Sequence, residues 1–136
     1  MNYYQTKSTL LHGSNYKEIK KNSDKLFASL QKQTKRQPYV RSAYFSKQKI
    51  FFNLFWIHLF DKPDKIRSER LRFLKCGIEL IQKSRNHPES KDNLNNKAEI
   101  LHRFMGITKN KIKFAVQIKE IKRTGKKYLM SVFLYD

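Results

Sequence analysis

The sequence predicts an α+β domain, with N-terminal helices and one long helix packed on a small antiparallel β-sheet of about four strands. Within residues 111–119, apolar and polar residues alternate, which is typical of a strand with one buried face. Within residues 64–84, apolar residues recur every three or four positions, which is typical of a helix that covers a sheet. The chain of 136 residues is long enough for one hydrophobic core.

The first 38 residues are predicted to be a basic, partly helical N-terminal extension, and residues 39–136 the main domain. Residues 1–14 have little periodicity, so we expect a poorly anchored terminus. In residues 15–33 the apolar residues fall at helical spacing. The apolar stripe of this helix consists of Tyr16, Ile19, Leu26, Phe27 and Leu30. Its basic surface either contacts nucleic acid or is a solvated surface at the edge of the domain.

A short hairpin and a short helix follow the extension. Residues 39–45 and 49–52 are rich in aromatic and β-branched residues, which favours two paired strands. The apolar residues 53–60 are predicted to form a short helix with Asn53 as its N-cap. His58 lies in this apolar run and is either an acid-base catalyst or a hydrogen-bonded structural residue.

A long helix, a polar loop and three strands complete the chain. The helix begins at residue 64 or 65 and ends at residue 84, and one or two of its arginines could bind a phosphate bidentately. Residues 85–97 are polar and have no periodicity, which indicates a loop. Alternating residues then predict an antiparallel meander of three strands, at residues 100–107, 111–119 and 127–135.

The charge of the chain points to a polyanionic partner. Lysine and arginine number 30 and aspartate and glutamate 11, a formal net charge of +19. Nucleic acid is the expected partner, RNA rather than DNA. The sequence has no apolar run of about 18 residues, so we expect no membrane contact. A single cysteine, Cys76, argues for a reducing compartment and hence a cytoplasmic location.

The sequence lacks the usual motifs for metal or cofactor chemistry. The four histidines have no i,i+4 spacing, and the four glycines are isolated. We therefore expect neither a metal nor a cofactor. Basic, histidine and serine side chains on a sheet suit metal-independent RNA cleavage. In that reaction a base deprotonates the ribose 2′-hydroxyl, an acid protonates the leaving 5′-oxygen, and cations stabilise the charge on the phosphate.

The candidate residues for this chemistry lie mainly on the three C-terminal strands. The candidate catalytic residues are Arg103, Lys119, His58, His102 and Ser131. The candidate substrate-binding residues are Gln117, Arg67, Arg72 and Lys113. In a regular strand His102 and Arg103 point to opposite faces, so both belong to one site only if the strand has a bulge. We favour Arg103, because burying an arginine is costly unless it is paired.

Several phrases of the sequence resemble a known family. LHRFMGIT (residues 101–108), FAVQIKE (114–120) and KKYLMSVF (126–133) resemble the small nucleases of phages and mobile elements that are grouped as barnase/EndoU/colicin/RelE-like. FWIHL (55–59) and ERLRFLKCGIELI (69–81) fit the same pattern, so the resemblance covers residues 39–135. It implies helices followed by a four-stranded antiparallel sheet, and a toxin or effector that cleaves tRNA or mRNA without a metal.

The resemblance also implies where the site lies. Active residues of this family are on the open face of the sheet, which corresponds here to Arg103, Gln117, Lys119 and Ser131. His58 matches the histidine of the upstream apolar phrase. Such a protein would have an acidic immunity protein or antitoxin as a partner.

Two other functions remain open from the sequence. One is a non-catalytic nucleic-acid-binding protein whose basic face follows the phosphate backbone. The other is an interaction module whose charge meets an acidic protein. The aromatic residues do not decide among these functions, because they either stack on unpaired bases or fill the core. The aromatic residues considered are Tyr44, Phe45, Phe51, Phe52 and Phe104.

Overall fold

The computed structural model describes residues 3–34 and 37–135, except the side chain of residue 33. Its strands form one mixed β-sheet of seven strands. The helices are α1 (Tyr16–Gln33), α2 (Asn53–Phe60), α3 (Asp64–Arg72) and α4 (Leu74–Lys83). The strands are β1 (Tyr4–Gln5), β2 (Tyr39–Arg41), β3 (Lys49–Phe51), β4 (Glu89–Asn93), β5 (Asn96–Ile107), β6 (Lys113–Ile121) and β7 (Lys127–Leu134). The α+β class is confirmed, whereas the prediction of about four strands was wrong.

The sheet is built around the three C-terminal strands. Its order is β1-β5-β6-β7-β3-β2, and β4 pairs with β5 along the same edge as β1. β5, β6 and β7 are antiparallel to their neighbours in this group, while β1 on β5 and β3 on β7 are parallel pairs. β2 and β3 form the predicted hairpin, although each strand has only three residues.

The two faces of the sheet differ in composition as the alternation predicts. Phe114, Val116 and Ile118 are fully buried on the face that packs against the helices. Gln117 and Lys119 lie on the opposite face, and the register places Arg103 and Ser131 beside Gln117. We call this second face, which carries the side chains of Arg103, Gln117, Lys119, Ser131 and their cross-strand neighbours, the open face.

A bulge in β7 changes which of its residues reach the open face. Gln117 pairs with Ser131 while the next residue of β6, Ile118, pairs with Leu129, so Met130 is an extra residue in β7. Tyr128 and Ser131 are three positions apart and would lie on opposite faces of a regular strand. Because of the bulge, both lie on the open face, opposite Lys119 and Gln117 respectively.

The polar segment predicted as a loop at residues 85–97 forms β4 and the start of β5 instead. Both stretches are exposed, so neither needs an apolar face and neither has the alternation that reveals a strand. The turn between them is closed by Oδ1 of Asn93, which accepts a hydrogen bond from the backbone N–H of Asn95 at 3.0 Å.

The N-terminal segment is anchored, contrary to the prediction of a loose terminus. β1 pairs with Gly106 and Ile107. The carboxylate of Glu79 accepts hydrogen bonds from the backbone N–H of Lys7 and Ser8 and from the hydroxyl of Tyr4. Residues 1 and 2 lie outside the described residues, and the predicted division at residue 38 stays a prediction.

The carboxylate of Glu79 perturbs two pKa values. Burial alone would raise the pKa of Glu79, but the hydrogen bonds from Lys7 and Ser8 favour the carboxylate and bring the pKa below its ordinary value. Burial of the Tyr4 phenol, its hydrogen bond to Glu79 and the negative charge of that group raise the pKa of Tyr4 to about 12. Tyr4 therefore remains a hydrogen-bond donor at neutral pH.

The long helix predicted over residues 64–84 is interrupted at Phe73, which separates α3 from α4. The carbonyl of Arg72 accepts a hydrogen bond from the backbone N–H of Leu11, so the N-terminal segment satisfies the end of α3. The predicted apolar row is nevertheless correct, since its members are all buried. They are Leu71, Leu74, Ile78 and Ile81.

The start of α1 agrees with the predicted helical range, whereas the predicted cap of α2 is displaced by one residue. Oδ1 of Asn15 accepts a hydrogen bond from the backbone N–H of Glu18 and begins α1 at the expected residue. Asn53 was expected to cap α2 but is its first residue, and Phe52 occupies the cap position without a side-chain hydrogen bond. Among the described residues, no helix combines the length and the apolar character needed to cross a membrane.

Candidate nucleic-acid interface

Four polar residues form one row across the open face. Arg103 on β5 lies opposite Glu89 of β4 and Gln117 of β6, and Gln117 lies opposite Ser131 of β7. Nη2 of Arg103 donates a hydrogen bond to Oε1 of Gln117 at 3.3 Å. Arg103, Gln117 and Ser131 are half-buried, and Glu89 is exposed. The structure thus brings together three predicted site residues and adds a carboxylate that was not predicted.

A second row lies beside the first and crosses more of the sheet. Its members are Lys91, Leu101, Lys119, Tyr128, Phe51 and Tyr39. Nζ of Lys119 lies 3.2 Å from Oε2 of Glu99, and both side chains are largely buried. This pairing makes Lys119 less available to a phosphate than Arg103, whose partner is a neutral amide.

A small cleft opens where the two rows meet the β4 edge of the sheet. Its volume is about 100 Å³, and its lining consists of Glu89, Lys91, Leu101, Arg103 and Gln117. A small cleft lined by charged and amide groups suits a phosphate group. The cleft places a carboxylate, an ammonium group, a guanidinium group and an amide around one small space.

Cations lie over aromatic rings at several places on the open face. Nζ of Lys126 is 5.0 Å from the ring centre of Phe51, and Nζ of Lys49 is 4.8 Å from that of Tyr39. At the other end, Cζ of Arg103 lies 5.6 Å from the ring centre of Phe133. Each distance is within the range of a cation–π interaction. The face therefore presents positive charge and aromatic surface together.

His102 lies on the opposite face, as the alternation with Arg103 predicts. Nε2 donates a hydrogen bond to Oε1 of Glu120 at 2.9 Å, and Nδ1 pairs with Oγ of Ser90 at 2.6 Å. Lys127 approaches the same Glu120 oxygen at 3.7 Å, and the ring of Phe45 packs 5.0 Å from that of His102. His102 is only 7% exposed, so this geometry gives it a structural role that joins β4, β5 and β6.

Four further predicted residues lie away from the Arg103 row. Arg67 donates to the backbone carbonyls of Phe60 and Lys62, and Arg72 donates to the carbonyl of Gly13. Both guanidinium groups therefore hold the chain together at helix ends. The other two are His58, which is half-buried in α2, and Lys113, which is exposed at the start of β6 on the open face.

Two further observations concern metal binding and the single thiol. Among the described residues, no group of three or more histidine, cysteine, aspartate or glutamate side chains is arranged to hold a metal ion. The single cysteine, Cys76, is buried, and burial raises the pKa of its thiol.

Comparison with known protein families, curated proteins and solved structures finds no match for this chain. The resemblance to the barnase/EndoU/colicin/RelE-like nucleases therefore stays a prediction, and the proposal for a function below comes from the open face alone.

Three residues of the open face could not be predicted as site residues from the sequence: Glu89, Lys91 and Tyr128. Glu89 and Lys91 belong to a segment without alternation, so no strand was predicted there and no face could be assigned to them. The asparagine-rich stretch at residues 93–96 is a turn signal that could have indicated a hairpin. The position of Tyr128 depends on the bulge at Met130, for which the sequence has no signal.

Proposed function

We propose that this protein is a metal-independent endoribonuclease that binds RNA on the open face and cleaves it in the cleft beside β4. The observation that supports this best is the position of Glu89 directly opposite Arg103, with Lys91 and Gln117 lining the same cleft. General acid-base catalysis of phosphodiester transfer needs a base, an acid and cationic groups around one phosphate.

The cleft residues suit the individual steps. The carboxylate of Glu89 would take the proton of a ribose 2′-hydroxyl, and the 2′-oxygen would then attack the adjacent phosphorus. Arg103 and Gln117 would stabilise the negative charge on the non-bridging oxygens. Lys91 would protonate the departing 5′-oxygen. The products are one strand with a 2′,3′-cyclic phosphate and one strand with a free 5′-hydroxyl, and no metal or cofactor takes part.

The alternative is a protein that binds RNA on this face without cutting it. The cation and aromatic pairs favour this second function, because stacking and phosphate neutralisation need no acid or base. The two functions differ in their need for Glu89. A binding protein has no use for a carboxylate beside Arg103, since the negative charge repels phosphate.

The experiment follows a 5′-labelled, unstructured RNA in EDTA on a denaturing gel, with the wild type, Glu89→Gln, Arg103→Ala and the matched control Glu69→Gln on α3. We expect Glu89→Gln to lower the cleavage rate by about 100-fold or more and Arg103→Ala by at least about 10-fold, equal to about 1.4 kcal/mol. Glu69→Gln should cleave at the wild-type rate.

A native gel with the same variants separates the two functions. Glu89→Gln should bind RNA at least as tightly as the wild type, because it removes a negative charge. Intact RNA with the wild type, together with a shift on the native gel, would support the binding protein. Equal cleavage by the wild type and Glu89→Gln would contradict the assignment of the base. A substrate with a 2′-deoxyribose at the cleaved position should resist cutting.

A further inference from the structure

A second feature of the open face lies at the end distant from the cleft. Tyr39, Phe51 and Tyr128 occupy one row on three adjacent strands, β2, β3 and β7. The ring centres of Tyr39 and Phe51 are 5.9 Å apart, and those of Phe51 and Tyr128 are 6.0 Å apart. We call these three residues the aromatic platform.

The aromatic platform is not part of the hydrophobic core. Its three side chains are half-buried, and none belongs to the buried cluster or to the residues packed against it. The aromatic residues on the other face behave differently. Phe52 and Phe114 are fully buried and Phe104 nearly so. A contiguous row of three aromatic rings outside the core is typical of an interaction site.

Three cations surround the platform. Cζ of Arg41 and Nζ of Lys49 lie 5.4 Å and 4.8 Å from the ring centre of Tyr39. Nζ of Lys126 lies 5.0 Å from the ring centre of Phe51 and 5.6 Å from that of Tyr128. Among the described residues none of these three cations forms an ion pair with a carboxylate. Their charge is therefore available to an anionic ligand.

We propose that the aromatic platform is a binding site for unpaired RNA, in which bases stack on the rings while Arg41, Lys49 and Lys126 contact the phosphates. This inference rests on the proposed function and deepens it by naming single-stranded RNA as the substrate class. A base can stack on a protein ring only when its own face is free. In a duplex the base faces are covered, so the platform discriminates against paired RNA.

The platform and the cleft lie on one path. Tyr128 is in the same cross-strand row as Lys119, Leu101 and Lys91, and Lys91 lines the cleft. Three strand spacings of about 4.8 Å separate Tyr128 from Lys91, on the order of 14 Å in total. An RNA strand that is bound on the aromatic platform therefore reaches the cleft by crossing the open face, without passing over a helix.

The experiment measures binding by fluorescence anisotropy, with a labelled, unstructured 2′-O-methyl RNA and the duplex of the same sequence. The 2′-O-methyl group blocks the proposed cleavage, because it leaves no proton on the 2′-oxygen. The variants are Phe51→Leu, Tyr128→Leu and Tyr128→Phe. The matched control is Phe60→Leu, since Phe60 is an aromatic residue of α2 that is 54% exposed.

We expect Phe51→Leu and Tyr128→Leu each to weaken binding of the single strand by at least about 5-fold, because stacking on one base contributes about 1–3 kcal/mol. Tyr128→Phe should bind normally, because the ring remains. Phe60→Leu should bind normally, and duplex binding should be weaker than single-strand binding and insensitive to all four changes. Thermal melting of each variant shows whether the fold is intact.

The possible failures are distinguishable. If Phe51→Leu and Tyr128→Leu bind the single strand like the wild type while the wild type still cleaves unmodified RNA, the platform inference is wrong and the proposed function stands. Preference of the wild type for the duplex would overturn the inference in the same way. If the wild type neither binds nor cleaves RNA, both proposals fail, and an acidic protein becomes the partner to test for this face.

Discussion

At the scale of single residues, neighbours in sequence have different roles because they point to different faces of β5. Arg103 faces the open surface beside Glu89 and Gln117. His102 points to the opposite face, where Ser90 and Glu120 occupy both ring nitrogens. A catalytic histidine needs one nitrogen free for the substrate, so the geometry favours Glu89 over His102 as the base of the proposed reaction.

A residue-scale prediction concerns Glu79, which holds the N-terminal segment. We expect Glu79→Gln to lower the free energy of unfolding at pH 7 by about 2 kcal/mol, because hydrogen bonds to a charged group contribute about 1.5–3 kcal/mol. The folded-state pKa of Glu79 is below its ordinary value, so its ionised form stabilises the fold above the unfolded-state pKa, and this stabilisation is lost as pH falls through the folded-state pKa.

Urea unfolding at pH 7 and at pH 3 checks this prediction. The difference between wild type and Glu79→Gln should shrink at pH 3, because the unfolded chain binds a proton at this carboxyl below the unfolded-state pKa and the stabilisation declines. Glu69→Gln on α3 is the control and should change stability by less than about 0.5 kcal/mol. An equal difference at both pH values would show that the charge of Glu79 does not hold the segment.

At the scale of elements, the exposed hairpin of β4 and β5 shapes the candidate site. Glu89 and Lys91 reach the open face only because β4 pairs with β5 in the observed register. On the other face, Ser90 is joined through His102 to Glu120 of β6, which links three strands. The cleft therefore depends on the position of β4, a polar edge strand. The contact between Ser90 and His102 on the opposite face stabilises that position.

An element-scale prediction concerns the close packing of α4 on β7. A Cβ atom at Gly77 would lie 2.8 Å from Cγ2 of Val132, a side chain that is fully buried. Alanine is favoured over glycine in a helix by about 1 kcal/mol, but overpacking a core costs about 1–3 kcal/mol. We expect Gly77→Ala to destabilise the protein by about 1 kcal/mol in urea unfolding.

Gly106→Ala is the comparison for this prediction. A Cβ atom there would overlap the ring of Phe114 and lie 2.9 Å from Cδ1 of Leu80, so we expect a larger loss of stability than at Gly77. If Gly77→Ala instead stabilised the protein, α4 would have to move away from the sheet at little cost, and the close packing would not matter.

At the scale of the whole molecule, the net charge of +19 is spread over the surface, and part of it is concentrated on the open face. The cations at this face are Arg41, Lys49, Lys91, Arg103, Lys113, Lys119 and Lys126. Of these, Lys119 is neutralised by Glu99. A single RNA strand that crosses the sheet would contact several of these cations, and the affinity should therefore depend strongly on salt.

A whole-molecule prediction follows from this distribution. The logarithm of the affinity for single-stranded RNA should fall linearly with the logarithm of salt concentration, with about 0.7 units of slope for each neutralised phosphate. Lys49→Ala and Lys91→Ala, at opposite ends of the open face, should each reduce the slope by about 0.7. Titrations between about 50 and 200 mM salt provide the measurement.

The control for the salt dependence is Lys65→Ala, because Lys65 is an exposed lysine of α3. Its slope should equal that of the wild type. If Lys65→Ala reduces the slope as much as Lys49→Ala does, RNA affinity depends on the net charge of the protein and not on the open face. The interface assigned to this face would then be wrong.

Features that depend on neighbours in the chain could be predicted from the sequence. Alternation in β6 predicts which residues are buried, because successive side chains of a strand point to opposite faces. Helical spacing predicts the buried row of the long helix and the range of α1, which begins after Asn15. Gln117 and Lys119 could be assigned to one face for the same local reason.

Features that depend on contacts between distant segments could not be predicted, because they are set by how the strands pair in the folded protein. β1 and β4 are short or polar edge strands that carry no apolar period, so their pairing with β5 has no local signal. The bulge at Met130 moves Ser131 to the face of Tyr128 because the register of β7 on β6 shifts there. The position of Glu89 beside Arg103, and therefore the proposed catalytic base, follows from strand pairing alone.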